Sequence, residues 1–283
     1  MVAPFLAIAF ASAMGATIAR RAGLPGAPFF TNVAGLAAGL LLAGGVKRLG
    51  GPRVRSLAVP LGLLALLLMA TTLVSPGSAR VHRWLPIGSL SLHASAAFSP
   101  WVFAASAHAT SQGQRGRGLA LAFVLQALHV LQPDGGQALA SLGAFTAIGL
   151  FVDAEPRSAP LRRAQRAAPW LALGVGGVLF AWRPDNLPLV PAVEGILTLA
   201  REDGALMAAL AGCALLLPWG SLVAVAQRQR HASPVGRVLA GAMAGSIAAG
   251  LAGPFPVPCV GAGAGPVVGA VTCFTLARAF AAR

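Results

Sequence analysis

This chain has little charge. Only 10% of its 283 residues are Asp, Glu, Lys or Arg, while 57% are hydrophobic. A water-exposed globular domain of this size has no use for that balance, so a soluble fold is excluded. Alternating ten-residue segments, the mark of a membrane β-barrel, are missing as well, and the apolar runs are continuous. A hydrocarbon core takes about 20 apolar residues per helix, and only helices or closed barrels satisfy every backbone group in lipid. The composition therefore predicts an all-α, polytopic membrane protein with roughly ten transmembrane helices. It leaves almost nothing for a soluble domain, so residues 1–283 read as a single integral membrane domain.

Other absences narrow the chemistry. The net charge is +14, yet there is no basic stripe with interleaved aromatics and no RNA- or DNA-binding motif, so nucleic acid is not an expected partner. Cys213, Cys259 and Cys273 lie in apolar segments without metal-ligand spacing and read as small packing residues. His93, His108 and His129 likewise show no ligand spacing, and a helix-interface hydrogen bond is their expected fate. No serine has a nearby His and acid set, so nucleophilic catalysis has no support. Met1 to Ala19 lacks the positive start of a signal peptide, since Arg20 and Arg21 follow the apolar run; an uncleaved first span is expected.

The expected spans are 4–19, 28–46, 56–75, 97–111, 118–132, 137–153, 169–182, 204–226 and 238–281. The last is split into two by Gly253-Pro254-Phe255-Pro256-Val257-Pro258. A further piece, 188–200, is too short and too charged at its end to cross alone, and reads as half-buried or re-entrant. Lys47, Arg48, Arg53, Arg55, Arg115, Arg117, Arg157, Arg162, Arg163, Arg166, Arg228, Arg230, Arg237, Arg278 and Arg283 then share one side. The other side receives only Arg20, Arg21, Arg80, Arg83, Arg183 and Arg201. The positive-inside rule makes the first side cytoplasmic and puts both termini there. Glycine pairs at four-residue spacing, Gly35/Gly39, Gly241/Gly245 and Gly261/Gly265, mark close helix crossings.

With seven acids in all, their placement is informative. Asp134, Asp185, Glu194, Glu202 and Asp203 fall on the outer side, and Asp153 and Glu155 on the inner. Asp134 stands out because it sits in the break Gln132-Pro133-Asp134-Gly135-Gly136 between two long apolar runs. A carboxylate at a membrane edge is a functional-site candidate by default. Following Pro133 and preceding a helix, it can equally cap that helix through backbone N–H groups around Gln137.

Several segments resemble motifs of the SEDS (shape, elongation, division and sporulation) family, the FtsW/RodA/SpoVE group. Arg83-Trp84-Leu85-Pro86-Ile87-Gly88 with Leu90-Ser91-Leu92-His93-Ala94-Ser95 resembles that family's RWIxLGxxxxQPSE loop after the third span. Leu131-Gln132-Pro133-Asp134-Gly135-Gly136-Gln137-Ala138 is similar to QPDLGTA after the fifth. Pro191-Ala192-Val193-Glu194-Gly195-Ile196-Leu197 stands where the family has HTDFIF, and Ala200-Arg201-Glu202-Asp203-Gly204 where it has AEELG. Pro256-Val257-Pro258-Cys259-Val260-Gly261-Ala262-Gly263 is similar to PLPFISYGG before the last span.

The resemblance implies a multi-pass protein of the bacterial cytoplasmic membrane, acting in cell division or cell-shape control. Its implied activity is a peptidoglycan glycosyltransferase that polymerises the lipid-linked disaccharide-peptide precursor (lipid II) at the outer face and releases an isoprenoid diphosphate. The family's essential acid maps onto Glu194. Arg83, Arg183 and Arg201 become the candidates for the departing diphosphate, for which a forked guanidinium is suited, and Asp134 joins them in substrate binding. No cofactor is assigned; a divalent cation beside the diphosphate would make chemical sense, but no residues show ligand spacing for it. Implied partners are the lipid bilayer, the precursor, and a penicillin-binding transpeptidase or another division or elongation protein.

The match is uneven. Glu replaces the family's Asp at position 194, extending the carboxylate by roughly 1.5 Å. Ala192-Val193 replace its His-Thr, His93, Ala94 and Ala96 replace the Gln, Pro and Glu of QPSE, and Ser99 replaces a Lys. Asp134 and Glu194 lie only 60 positions apart, so the family's large outer loop is nearly absent. Two further readings follow: a catalytically degenerate SEDS-like scaffold for cell-wall synthesis proteins, and a flippase for a lipid-linked sugar.

Overall fold

Long apolar runs with no polar alternation satisfy their backbones internally, and here they do so as helices. The computed structural model of the chain describes residues 2–75, 81–88, 90–153, 160–182, 187–228 and 234–281. In order these form α1 (Val2–Arg21), α2 (Phe30–Leu49), a short α3 (Gly51–Ser56) and α4 (Ala58–Ala70), which tightens into a 3-10 turn over Thr71–Val74. A two-stranded antiparallel ribbon follows, β1 (Trp84–Ile87) and β2 (Leu90–His93), with Trp84 opposite His93. Then come α5 (Ala94–Ser111), α6 (Arg115–Leu131), and α7 (Gly135–Ile148), which widens into a π-helical turn over Gly149–Asp153. The remainder is α8 (Pro160–Ala181), a short α9 (Ile196–Glu202), α10 (Ala205–Arg228), α11 (Val235–Ala252) and α12 (Ala264–Ala281).

Each expected span coincides with one of these helices. Among the described residues six helical stretches are long and apolar enough to cross a membrane: Ala3–Arg21, Ala27–Leu49, Gly135–Asp153, Ala205–Arg228, Val235–Ala252 and Ala264–Ala281. The protein is thus an all-α polytopic membrane fold. One boundary differs from the sequence reading. Helix α8 starts at Pro160 and not at 169, so Arg162, Arg163 and Arg166 ride on its first turns, because Pro169 is accommodated inside the helix instead of opening it. Residues 84–87 and 90–93 pair as a hydrogen-bonded ribbon, which the sequence reading did not place.

The centre of the bundle is α5, α7, α11 and α12, whose faces are largely enclosed. Helices α1, α2 and α10 stand outside them and show lipid-ready side chains such as Leu6, Leu41 and Leu206. Glycine sets the closest crossings. A Cβ on Gly143 would lie 2.1 Å from the Gly241 carbonyl, and one on Gly245 would lie 2.4 Å from the Leu139 carbonyl, so α7 and α11 touch backbone to backbone. Gly35 meets Ala264 in the same way, at 2.7 Å, where α2 crosses α12.

At the arginine-rich end Asp153 ties three helices. Arg115 Nε and Trp170 Nε1 both donate to Asp153 Oδ2, at 2.6 and 2.9 Å. Arg166 donates to the Asp153 carbonyl at 3.1 Å, and Arg115 to the Arg166 carbonyl at 3.1 Å. At the opposite end Arg21 forks onto Asp203 (2.5 and 2.9 Å), joining the end of α1 to the α9–α10 turn. That fork holds the Asp203 carboxyl below its usual range.

Candidate functional site

The end of the bundle opposite the arginine cluster gathers the ribbon, the α6–α7 break, the turn before α9 and the proline-rich loop between α11 and α12. Its hub is the break between α6 and α7. Pro133 offers no N–H to continue α6, and Asp134 starts α7 by accepting the Gln137 N–H on Oδ1 at 3.2 Å. This is the capping role the sequence allowed. Gln132, fully buried, spreads its amide over three partners. Oε1 accepts Ser95 Oγ at 2.8 Å, and Nε2 donates to Thr72 Oγ1 at 2.7 Å and to the Met69 carbonyl at 3.0 Å. One side chain thereby ties α6 to α5 and to the end of α4.

Asp134 is only 3% exposed, and its Oδ2 faces His93 Nε2 at 3.5 Å. His93 is the N-cap of α5, with Nδ1 accepting the Ala96 N–H at 3.2 Å. An imidazole that accepts at Nδ1 and faces a carboxylate at Nε2 is neutral, with its hydrogen on Nε2. Burial accordingly holds the His93 pKa below its ordinary value, against the pull of Asp134. Burial alone raises the Asp134 carboxyl, but His93, Arg83, His129 and the Gln137 amide outweigh it and leave its pKa lowered. With His93 neutral, the standing positive partner is Arg83. That arginine is 6% exposed and donates through Nη2 to the Pro133 carbonyl. His129, one turn before the break, bonds Ser141 at 3.1 Å across to α7.

Glu194 ends a tight turn over 191–194 and is half-buried. Its Oε2 accepts the Val190 N–H at 2.8 Å, which fixes the carboxylate on its own turn. The turn is stitched to the proline-rich loop between α11 and α12: Val257 N donates to Val193 O at 3.3 Å and Ala262 N to Ala192 O at 2.8 Å. That loop is held from the far side by Asn32 of α2. Its amide donates to the Gly261 carbonyl at 3.1 Å, and its Oδ1 accepts Gly263 N at 2.6 Å.

The same loop touches the α6–α7 break. A Cβ on Gly136 would lie 3.0 Å from the Phe255 ring, and Phe255 stands edge-on to Trp182 with centroids 4.9 Å apart. Asp134 and Glu194 therefore belong to segments that flank one loop, without their side chains meeting. Between α5, α7, α11 and α12 and beneath this loop lies a cavity of about 60 Å³, reached by His93, Ser99, Gln137, Ser246 and Pro256. Neither Asp134 nor Glu194 lines it.

Of the residues singled out from sequence, Arg83 and Asp134 come together, Glu194 sits across the loop, and Arg201 is exposed at the end of α9. Arg183 lies outside the described residues. Among the described residues no three His, Cys, Asp or Glu side chains converge as metal ligands. His93 as the partner of Asp134 was not read from sequence, because the two are 41 positions apart and meet only through the ribbon. Asn32 was missed too, although an asparagine inside an apolar run was signal enough.

No family model matches the sequence, and no curated protein matches it. Solved structures do match in fold. The rod shape determining protein RodA of Thermus thermophilus superposes with a TM-score of 0.72 at 20% identity, over 99% of this chain and 96% of that one. A point mutant of the same RodA gives 0.70 at 20% identity, over 99% and 97%. A chain from a peptidoglycan synthase complex, whose structure concerns coordination of polymerization and crosslinking, gives 0.67 at 22% identity, over 97% and 95%. The chain has the RodA fold along its whole length.

Proposed function

We propose that this chain is a SEDS-family protein of cell-wall synthesis, formed as one membrane domain over residues 1–283. The observation that carries the reading is the end-to-end likeness to RodA. The order of the sequence motifs along that fold agrees with it. In this reading the protein sits in the bacterial cytoplasmic membrane with both termini inside, and the ribbon, the α6–α7 break and the Glu194 turn face outward.

The reaction is extension of a glycan from lipid II. An acceptor sugar hydroxyl attacks the anomeric carbon of the lipid-linked disaccharide-peptide, the bond from that carbon to the diphosphate oxygen breaks, and the isoprenoid diphosphate leaves with the electron pair. Glu194 takes the hydroxyl proton as general base. The hydrogen bond from Val190 N supports this role because it fixes the carboxylate's direction. Arg201 and Arg183 are the cations for the leaving diphosphate. Arg83 and Asp134 act one layer in, Asp134 opening α7 and Arg83 fixing the break through the Pro133 carbonyl.

A second reading has its own support. The cavity of about 60 Å³ is far below the roughly 300 Å³ where small-molecule pockets begin, and Arg83 and Asp134 are turned inward. Those features suit a scaffold that serves a partner transpeptidase without polymerising. The test is glycan synthesis from purified lipid II by the full chain in nanodiscs, with and without a penicillin-binding transpeptidase, beside Glu194→Gln. Polymer from the native chain and a loss of about a hundredfold or more in the variant supports the base assignment. Equal polymer from both removes Glu194 from the chemistry. No polymer from either, with the transpeptidase still bound, selects the scaffold.

A further inference from the structure

At the arginine-rich end, α1, α2 and α12 do not close on one another. They leave a trough of about 540 Å³ walled by Phe5, Leu40, Ala43 and Phe274. Gly44 keeps it open: a Cβ there would meet nothing within 4 Å, whereas Gly39, five residues earlier, is pressed against Val271 at 2.8 Å. Helices α2 and α12 are in close contact nearer the centre of the bundle and part only near this end. At the rim stand Lys47 and Arg278, both exposed. Among the described residues no acidic side chain lines the trough, and neither cation makes a hydrogen bond or ion pair.

Cations in the last turn of a helix offset its carbonyl dipole, and loop charge sets topology. Both effects account for having basic residues here. Neither accounts for two of them, from different helices, bordering one apolar trough with no counter-charge among the described residues. Apolar walls without neighbouring atoms forfeit dispersion energy, and at this depth the material available to fill them is acyl chain. The volume is in the range of a true ligand site.

We propose that this trough binds one anionic phospholipid of the leaflet at that end, with an acyl chain between α1, α2 and α12 and its phosphate against Lys47 and Arg278. This does not depend on the cell-wall reading.

The experiment is native mass spectrometry of the full chain in detergent, titrated with phosphatidylglycerol or phosphatidylcholine of identical acyl chains. One phosphatidylglycerol is expected to bind more tightly than phosphatidylcholine. Lys47→Gln with Arg278→Gln is expected to weaken phosphatidylglycerol about 25-fold, from about fivefold per cation, while phosphatidylcholine is unchanged. Gly44→Leu, which fills the trough, is expected to weaken both lipids with the cations intact. Glycerol phosphate, which carries the headgroup without the chains, is expected not to compete. Equal affinity for the two lipids, phosphatidylglycerol binding unmoved by the double substitution or by Gly44→Leu, or full competition by glycerol phosphate overturns the proposal. Melting temperatures measured alongside identify any variant that fails to fold, and the remaining variant then decides.

Discussion

Replacing Gln132 by leucine tests whether the α6–α7 break is held mainly by one amide. The two side chains are close in size, so the change removes polar contacts with little cavity. Three hydrogen bonds go: to Ser95 Oγ, Thr72 Oγ1 and the Met69 carbonyl. Side-chain hydrogen bonds within membrane proteins average about 0.6 kcal/mol each, and those in soluble proteins reach about 1.5 kcal/mol. The sum lies between about 2 and 4.5 kcal/mol. Thr72 keeps its own bond to the Met69 carbonyl at 2.8 Å, so that acceptor is not stranded. The lower half of the range, about 2–3 kcal/mol, is therefore expected. Gln132→Glu sharpens the test. It keeps the acceptor for Ser95 but turns an oxygen toward the Met69 carbonyl and Thr72, where only a protonated acid can donate. The glutamate variant is thus expected to gain stability as pH falls, the reverse of the native protein. Reversible denaturation in detergent at several pH values reads both changes. A leucine variant within about 0.5 kcal/mol of native, or a glutamate variant without acid rescue, refutes the reasoning.

Three further outcomes are expected. His93 has a folded pKa below its ordinary 6.5, so the unfolded chain binds the proton first and native stability falls as pH drops below that value. His93→Asn, which keeps an N-cap acceptor, is expected to flatten the acid limb of a melting-temperature profile. Gly143→Leu drives a side chain into the Gly241 carbonyl and is expected to cost about 3 kcal/mol or more; Gly176→Ala, in open space, serves as a near-silent control in the same thermal melts. Asp153→Asn keeps an acceptor for Trp170 but removes the charge opposite Arg115. Because the Arg115 side chain is 41% exposed, the expected loss is modest, about 1 kcal/mol, visible as a lower melting temperature.

The helices were legible because lipid leaves the backbone few options: an apolar run of span length is a helix, and its borders fall at Pro, Gly and charge. The α6–α7 break was legible for the same reason, Pro133 followed by an acid at a helix start. Where the reading slipped, packing had decided. Pro169 looks like a helix opening but lies inside α8. The ribbon at Trp84–His93 carries no strong strand pattern, and it exists because His93 must cap α5 while Arg83 reaches Pro133. Gly143 has no glycine four residues away to announce it, yet it makes the tightest contact with α11. The partners of Asp134 were hidden because they come from positions 83 and 93, which only the folded bundle brings near.

Asn32 grips residues 261 and 263, a clasp that spans 229 positions of the chain. At roughly 5–20 residues per second of synthesis, the first two helices wait roughly 10–50 s in the bilayer before the segment they clasp has been made. Both belong to the stretches long and apolar enough to reside in lipid unaided. The N-terminal pair is thus equipped to be inserted early and joined late, and a ribosome stalled before residue 259 leaves the Asn32 amide without the Cys259, Gly261 and Gly263 groups it meets in the finished fold.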